Sequence, residues 1–293
     1  MMESYLQMAV CAEDVTEARK RFAGRIHETP IITSKSIDRI AVNSFRVTHS
    51  SGNHGQGLAW AASEVGLPCY VAVPRNAPPS KMEAMVEYGA KLELCDSTVK
   101  SRFSNGALCF REDTCARIAE DLNFYVVEPF DDPNVMCGQG TLAAEIIEQS
   151  PDVDAIFLAV GGGGMASGVV AYVTEVRPDI KVFLVEPQGK DLAVYLQKGE
   201  LTTERDVVDT IADGIRVLKI GENCYPILKA LANNTDYEIR TALKLIWTRT
   251  KQRVEPSAAV PLAGLLKVSP SNLGLKKVVL ILCGGNVDLD FIP

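Results

Sequence analysis

Thr48-His49-Ser50-Ser51-Gly52-Asn53-His54-Gly55-Gln56 joins a short apolar strand, Phe45 to Thr48, to an alanine-rich helix, Leu58 to Val65. A strand-to-helix turn of this composition is suited to an anion. Its glycines let backbone approach a ligand, the free N–H groups of the helix start point outward, and hydroxyl and amide side chains add donors. An ordinary helix cap has much the same composition, so a second stretch carries weight. Ala155 to Val160 reads as another buried strand, and it runs through Gly161-Gly162-Gly163-Gly164-Met165 into the helical run Ala166 to Val176. Adjacent glycines at a helix N-terminus can form a nest of N–H groups, the arrangement a phosphate monoester needs.

Outward from these turns, strand and helix signals alternate, which implies parallel sheets covered by helices. Cys69 to Val73, Leu92 to Cys95 and Tyr125 to Val127 read as strands, with helices at Pro79 to Tyr88 and near Thr114 to Asp121. After Asp131-Asp132-Pro133 a second series is expected: helix Thr141 to Glu148, strand Ala155 to Val160, helix Met165 to Val176 and strand Val182 to Val185. Helices near Tyr225 to Ala232, Tyr237 to Lys251 and Ser257 to Leu266 then precede the strand Val278 to Leu282. The fold class is therefore α/β, with two three-layer domains: a small one over residues 45–131, inserted into a large one made of 1–44 and 132–293.

Composition narrows the function. With 47% hydrophobic and 23% charged residues, the 293-residue chain reads as soluble and globular. A net charge of −7 with dispersed Lys and Arg disfavours nucleic acid and anionic membranes as partners. The eight cysteines are scattered without a Cys-x-x-Cys pair, as in a reduced cytoplasmic protein. Met1 to Glu13 lacks the basic-then-apolar pattern of a secretory signal, and the uncharged stretch Ala155 to Thr174 is broken by its glycines.

Together the two turns resemble the fold-type II pyridoxal-phosphate enzymes, and within them the serine racemase and serine/threonine ammonia-lyase group. Ser-Ser-Gly-Asn-His-Gly resembles the substrate loop of that group, Gly161 to Met165 its cofactor phosphate cup, and Cys283-Gly284-Gly285-Asn286-Val287-Asp288 its C-terminal motif. The resemblance runs from about Val15 to Asp290 and implies a tryptophan synthase beta-like fold. It implies a racemase and dehydratase that takes L-serine to D-serine, and serine or threonine to a 2-oxo acid and ammonia. Its cofactor would be pyridoxal 5′-phosphate, with Mg²⁺ or Ca²⁺ and an ATP effector as further ligands and a homodimer as the assembly.

By this resemblance Ser51 is the catalytic proton donor and acceptor on one face of the cofactor ring. A serine hydroxyl is a poor base without a stabilising network, and a capping role fits Ser51 too. Asn53 would bond the phenolic oxygen of the ring, Gly161, Gly162, Gly163, Gly164 and Met165 would hold the phosphate, and Cys283 would face the pyridine nitrogen. Ser50, Gly52 and His54 would surround the substrate carboxylate. For His54 the alternative is a cap, and for Cys283 a small buried hydrophobe. Glu255 matches a segment near the cofactor or is an acidic residue before a Pro-started helix, and Thr210 to Gly214 resembles an active-site turn. Glu186, Gly189 and Asp191 form an oxygen-rich turn suited to a hard cation or simply to solvent.

One element of the family is missing. Its cofactor lysine lies in a Ser-Phe-Lys-x-Arg-Gly motif between Thr29-Pro30 and the substrate loop, and no such motif occurs in Ile31 to His49. A βαβ unit takes roughly 30 residues or more, so the loss, placed between Ile40 and Phe45, amounts to a whole element and leaves the large domain incomplete. Phe103 to Phe110 reads as an insertion. One loss and one excess fit alternative splicing or a truncated gene model. Lys35, in Thr33-Ser34-Lys35-Ser36, has the wrong context to substitute. The alternative reading is therefore a catalytically inactive chain, at most a non-catalytic partner subunit.

Overall fold

The computed structural model describes residues 10–22, 46–50, 52–95, 111–198, 208–217, 219–228, 231–234, 236–268, 273–288 and 290–293. Ser51, Lys35, the Ile40 to Phe45 junction and Phe103 to Phe110 lie outside the described residues. Among the described residues two four-stranded sheets carry the architecture, and every strand pairing in them is parallel.

In the first sheet the order is β3-β2-β1-β4, from β1 (Arg46–His49), β2 (Cys69–Pro74), β3 (Lys91–Cys95) and β4 (Tyr125–Val126). Parallel neighbours need crossovers, and helices α2 (Asn53–Glu64), α3 (Pro79–Glu87) and α4 (Arg111–Leu122) supply them. Alternation along the strands sorts the layers. Val71 and Val73 join Leu58, Ala59, Ala62 and Met85 of α2 and α3, while Val47 and Ala72 join Cys115 and Ile118 of α4.

The second sheet has the order β7-β6-β5-β8, from β5 (Ala155–Ala159), β6 (Lys181–Pro187), β7 (Leu231–Asn234) and β8 (Val278–Leu280). Strand β5 is apolar on both faces because both are covered. Ile156 and Leu158 pack towards α5 (Pro133–Gln149) and α6 (Gly164–Val176), whereas Ala155, Phe157 and Ala159 pack towards α8 (Asp236–Leu245) and α9 (Pro256–Val268). The N-terminal helix α1 (Ala12–Phe22) lies on the α5/α6 side, where Val15 and Ala18 enter the core and Ala12 N–H donates to Glu175.

Several elements depart from the periodicity reading. Helix α5 begins at Pro133, well before Thr141, because Asp132 accepts the Asn134 N–H at 2.8 Å and Pro133 is preset for a first turn. Gly138 and Gly140 hide that extension from propensity, yet Gly140 is needed where α5 crosses α6. The expected helix from Tyr225 to Ala232 is instead a turn followed by β7, which pairs residue by residue with β6 from Leu184↔Leu231 to Pro187↔Asn234 and so satisfies that strand's edge. The helix expected to run to Lys251 ends at Leu245 and widens into a π-turn over Ile246–Thr250. A short helix, α7 (Leu192–Lys198), was not expected.

The α5/α6 crossing is backbone against backbone: a Cβ on Gly168 would lie 2.1 Å from Met136 O and 2.6 Å from Gly140 N. Neither neighbour is a movable side chain. Gly168→Ala is therefore expected to destabilise the fold by about 1–3 kcal/mol, the usual cost of overpacking, and denaturant unfolding monitored by circular dichroism would measure it.

Candidate active site

Strands β1 and β5 are the inner strands at which chain order reverses, and ligands in open parallel sheets bind beyond the carboxyl ends of such strands. Ser50 follows β1 at that end and the loop 160–163 leaves β5 at that end. Helix α2 starts at Asn53, earlier than Leu58, so Asn53 and His54 stand in its first turn.

A chain of side chains joins the loops. Asn53 Nδ2 donates to Glu255 Oε1 at 2.9 Å, and Asn286 Nδ2 donates to Asn53 Oδ1 at 2.8 Å. Glu255 is buried, its N–H donates to Gly284 O at 3.2 Å, and its Oε2 has no hydrogen-bond partner among the described residues. Gly284 has φ +89°, and a Cβ there would sit 2.7 Å from the Glu255 carboxyl carbon, so conformation and space both require glycine. Burial pushes the Glu255 carboxyl above its usual range, against the pull of Lys81.

Lys81, in the first turn of α3, is the residue that the sequence reading missed. Its side chain is buried, its stem lies against Gly52, and its Nζ is 2.6 Å from Asp213 Oδ2 and 3.8 Å from Glu255 Oε2. Asp213 belongs to the Thr210 to Gly214 tract, so that tract does reach the site. Gly214 follows: its N–H donates to Ser257 Oγ at 3.0 Å, and its carbonyl lies 3.5 Å from a Cβ built on Gly161. The only sign of Lys81 in the sequence was a lysine just after Pro78-Pro79, where a helix start is expected.

The four glycines form a cradle. Gly163 caps α6 with φ +106°, and a Cβ on Gly162 or Gly164 would run into Phe130 at 2.3 and 2.6 Å. Their carbonyls are turned to one side. Lys190 Nζ donates to Val160 O at 2.7 Å and to Gly161 O, and Gly221 N–H donates to Gly162 O at 3.0 Å. Because a trans peptide sets N–H opposite C=O, the N–H groups of Gly161, Gly162 and Gly163 face the other way. No acceptor takes them among the described residues. Asp131 braces the Gly221 segment by accepting from the N–H groups of Glu222, Asn223 and Cys224. The residues present thus fit a phosphate at the cradle. Cys283 stands next to Gly284, and burial, with the charge of Glu255, pushes its thiol up to about 12.

Other expected site residues have different settings. Ser50 Oγ accepts the N–H groups of Gly52 at 3.1 Å and Gly55 at 3.0 Å, which makes it the brace of the turn. His54 Nε2 lies 3.3 Å from Val127 O and 3.1 Å from Thr48 Oγ1. A carbonyl only accepts, so Nε2 carries the proton. Met165, partly buried, packs against the core below α6. At the expected metal turn both oxygens of buried Glu186 accept the Leu192 N–H, Gly189 and Asp191 take positive φ, and Lys190 is the cation facing Glu186. Burial shifts both Glu186 and Lys190 towards neutrality. Among the described residues no three His, Cys, Asp or Glu groups gather as for a metal.

Residues 46–284 match the family described as pyridoxal-phosphate dependent enzyme. The chain belongs to this family. Serine racemase of Mus musculus is 36% identical to it, covering 97% of this chain and 93% of the relative. The β-hydroxyaspartate dehydratase of Paracoccus denitrificans (strain Pd 1222) is 33% identical, covering 96% and 98%. Among solved structures, a pyridoxal 5′-phosphate-dependent aspartate racemase superimposes with a TM-score of 0.87 at 33% identity, covering 98% of this chain and 99% of that one. The fold is accordingly the tryptophan synthase beta-like fold of these enzymes. The alignment with the mouse protein spans 329 positions, more than the 293 residues of this chain, so the relative has residues with no counterpart here.

Burial lowers the pKa of His54 from 6.5 to about 4, against the bond to Val127. The unfolded chain therefore binds this proton more tightly than the folded one. Stability from the neutral ring is complete above about pH 6.5 and is lost as pH falls towards 4, by no more than about 3 kcal/mol. His54→Gln is expected to flatten the fall in melting temperature between pH 7 and 4.5, as read by differential scanning calorimetry.

Proposed function

We propose that the chain is a pyridoxal-phosphate-dependent racemase and dehydratase of small 3-hydroxy amino acids, with serine first and threonine second. The observation that carries this reading is the bridge from Asn53 to Glu255 and Asn286 beside the glycine cradle, which brings the three motifs into one cleft. The cofactor, when bound, supplies an electron sink for the bond broken at the substrate α-carbon.

The chain's own residues divide the remaining tasks. The N–H groups of Gly161 to Gly164 hold the phosphate, and Asn53 orients the ring by its amide. The Cys283 thiol, protonated at neutral pH, is a neutral partner for the pyridine nitrogen, which favours elimination and racemisation over transamination. Ser51 moves the α-proton on one ring face, as the resemblance implies. Ser50, Gly52 and His54 shape the carboxylate end, His54 by bracing the helix start as a neutral ring.

A divalent cation at Glu186, Gly189 and Asp191 is supported by the oxygen-rich turn and would share Glu186 with Lys190. ATP as effector and a homodimer rest on the resemblance alone. Cytoplasmic residence is supported by buried cysteine thiols outside any disulfide, such as Cys69 and Cys224; no helix among the described residues is long and apolar enough to cross a membrane. The separate cores of the two sheets support the division into domains at 45–131 and the remainder.

A second reading, a non-catalytic chain, is favoured by the absent Ser-Phe-Lys-x-Arg-Gly motif. Incubation with pyridoxal phosphate and L-serine, followed by chiral chromatography and a coupled pyruvate assay, separates the two. D-serine or pyruvate formation supports the enzyme. Absence of both, with no visible absorbance of bound cofactor, supports the inactive chain, and grafting the missing element should then bring turnover back.

Gly163→Asp puts a side chain at φ +106° and a like charge into the cradle, so cofactor affinity is expected to fall by about tenfold or more. Fluorescence titration measures it, and unchanged affinity would remove the phosphate from this loop. Titration calorimetry of Mg²⁺ into wild type and Glu186→Ala should show a binding heat lost in the variant; identical heats would remove the cation site.

A further inference from the structure

The peptide units 160–161 and 161–162 of the glycine cradle are held by a side chain, and that side chain is a buried lysine. Strand β6 runs beside β5, with Leu184 against Leu158 and Val185 against Ala159, and the Val160 N–H donates to Val185 O at 3.0 Å. The turn after β6 is thereby brought beside the loop after β5. Within that turn Gly189 takes φ +89° and Asp191 φ +51°, so the backbone enters the left-handed region on both sides of Lys190, at a steric cost for Asp191. Between the two bends Lys190 is 1% exposed, with its Nζ on Val160 O at 2.7 Å and on Gly161 O. Lysine is seldom buried this far, because its amine leaves water to get there.

We propose that Lys190 is a positioning residue for anion binding: its N–H donors hold the Val160 and Gly161 carbonyls behind the loop and so present the N–H groups of Gly161 and Gly162 to a phosphate monoester. This deepens the phosphate-cradle reading above and rests on it. In a trans peptide the carbonyl of one residue lies opposite the N–H of the next, so Lys190 sets the first two donors of the cradle. Backbone sets the other two. The Gly162 carbonyl accepts the Gly221 N–H at 3.0 Å, and the Gly163 carbonyl accepts the Ser167 N–H at 2.7 Å. Glycines impose little conformational preference of their own, so without the amine the first two carbonyls can turn towards the anion and repel it. The amine donates whether or not it carries the extra proton. A divalent cation in the turn 186–191 is therefore not what aims the cradle.

The probes are pyridoxine 5′-phosphate, which has no aldehyde to react with an amine, and inorganic phosphate as its competitor, both with the full-length protein. Lys190→Met keeps the length of the side chain without its N–H donors. In fluorescence titration it is expected to bind pyridoxine 5′-phosphate about tenfold or more weakly than wild type, and inorganic phosphate should lose the same factor as a competitor. Lys190→Ala should also bind weakly and recover towards wild type when propylamine, which matches the atoms removed, is added; a loss of stability alone gives no such recovery. Wild type should bind equally well in EDTA and in Mg²⁺. If Lys190→Met does not fold, Lys190→Ala refolded with propylamine and then dialysed free of it gives the same comparison. Wild-type affinity for both probes in a folded variant lacking the amine, or a wild-type affinity that EDTA lowers as far as the substitution does, overturns the role of Lys190 and leaves phosphate on the cradle. Failure of wild type to bind either probe overturns the cradle as a phosphate site and this inference with it.

Discussion

The buried carboxylate of Glu255 is the constraint on which the rest depends. The two sheets have separate apolar cores, and the contacts of the cleft between them are polar: Asn53 to Glu255, Asn286 to Asn53, Lys81 to Asp213. Taking charges out of water costs several kcal/mol per ion, and only well-made pairs offset it. Here one ammonium serves two carboxylates. Burial and the nearby charge of Asp213 move Glu255 towards its protonated form, against the pull of Lys81.

Such a cleft works only if the backbone on either side is fixed, and glycine is used where fixing demands closeness. Gly284 lets the C-terminal motif touch the Glu255 carboxyl, Gly52 lets Lys81 through, and Gly168 against Gly140 brings α6, and the cradle at its start, down onto α5. Asp131 and Phe130 then close the cradle from the end of the first sheet's last strand. The same short connection that follows the first sheet's core therefore shapes the glycine loop after β5.

Much of this was legible before any coordinates. Apolar runs with glycine turns placed β1, β5 and the helices behind them, because parallel strands covered on both faces are apolar throughout and their turns lie at a fixed end. Local periodicity could not place what tertiary contact decides. Residues 231–234 form a strand because the edge of β6 needs a partner, and α5 starts at Pro133 although Gly138 and Gly140 lower its propensity. Lys81 was invisible for a related reason: a lysine near a helix start looks solvated, and only the gap at Gly52 and the two carboxylates far along the chain turn it inward. The partner of His54 was not legible either, because the acceptor at Val127 O that fixes its ring comes from an element with no sequence link to it.

The cradle shows how a side chain behind a loop can prepare its front. Lys190 draws the carbonyls of Val160 and Gly161 towards itself, Gly221 draws that of Gly162, and the first turn of α6 takes that of Gly163. Each carbonyl so held turns the following N–H the other way, because the peptide plane is rigid. Donors that would otherwise rotate are thereby aimed before any anion arrives, which removes an ordering cost from binding. Lys190 is faced by Glu186, buried and held in turn by the Leu192 N–H, and burial moves both groups towards neutrality, so the loop is set by the lysine's N–H donors. A hard cation in the same turn would draw on the same oxygens. In this chain the Lys190 amine already performs that orienting task, so the direction of the cradle's N–H groups follows from the peptide geometry and Lys190.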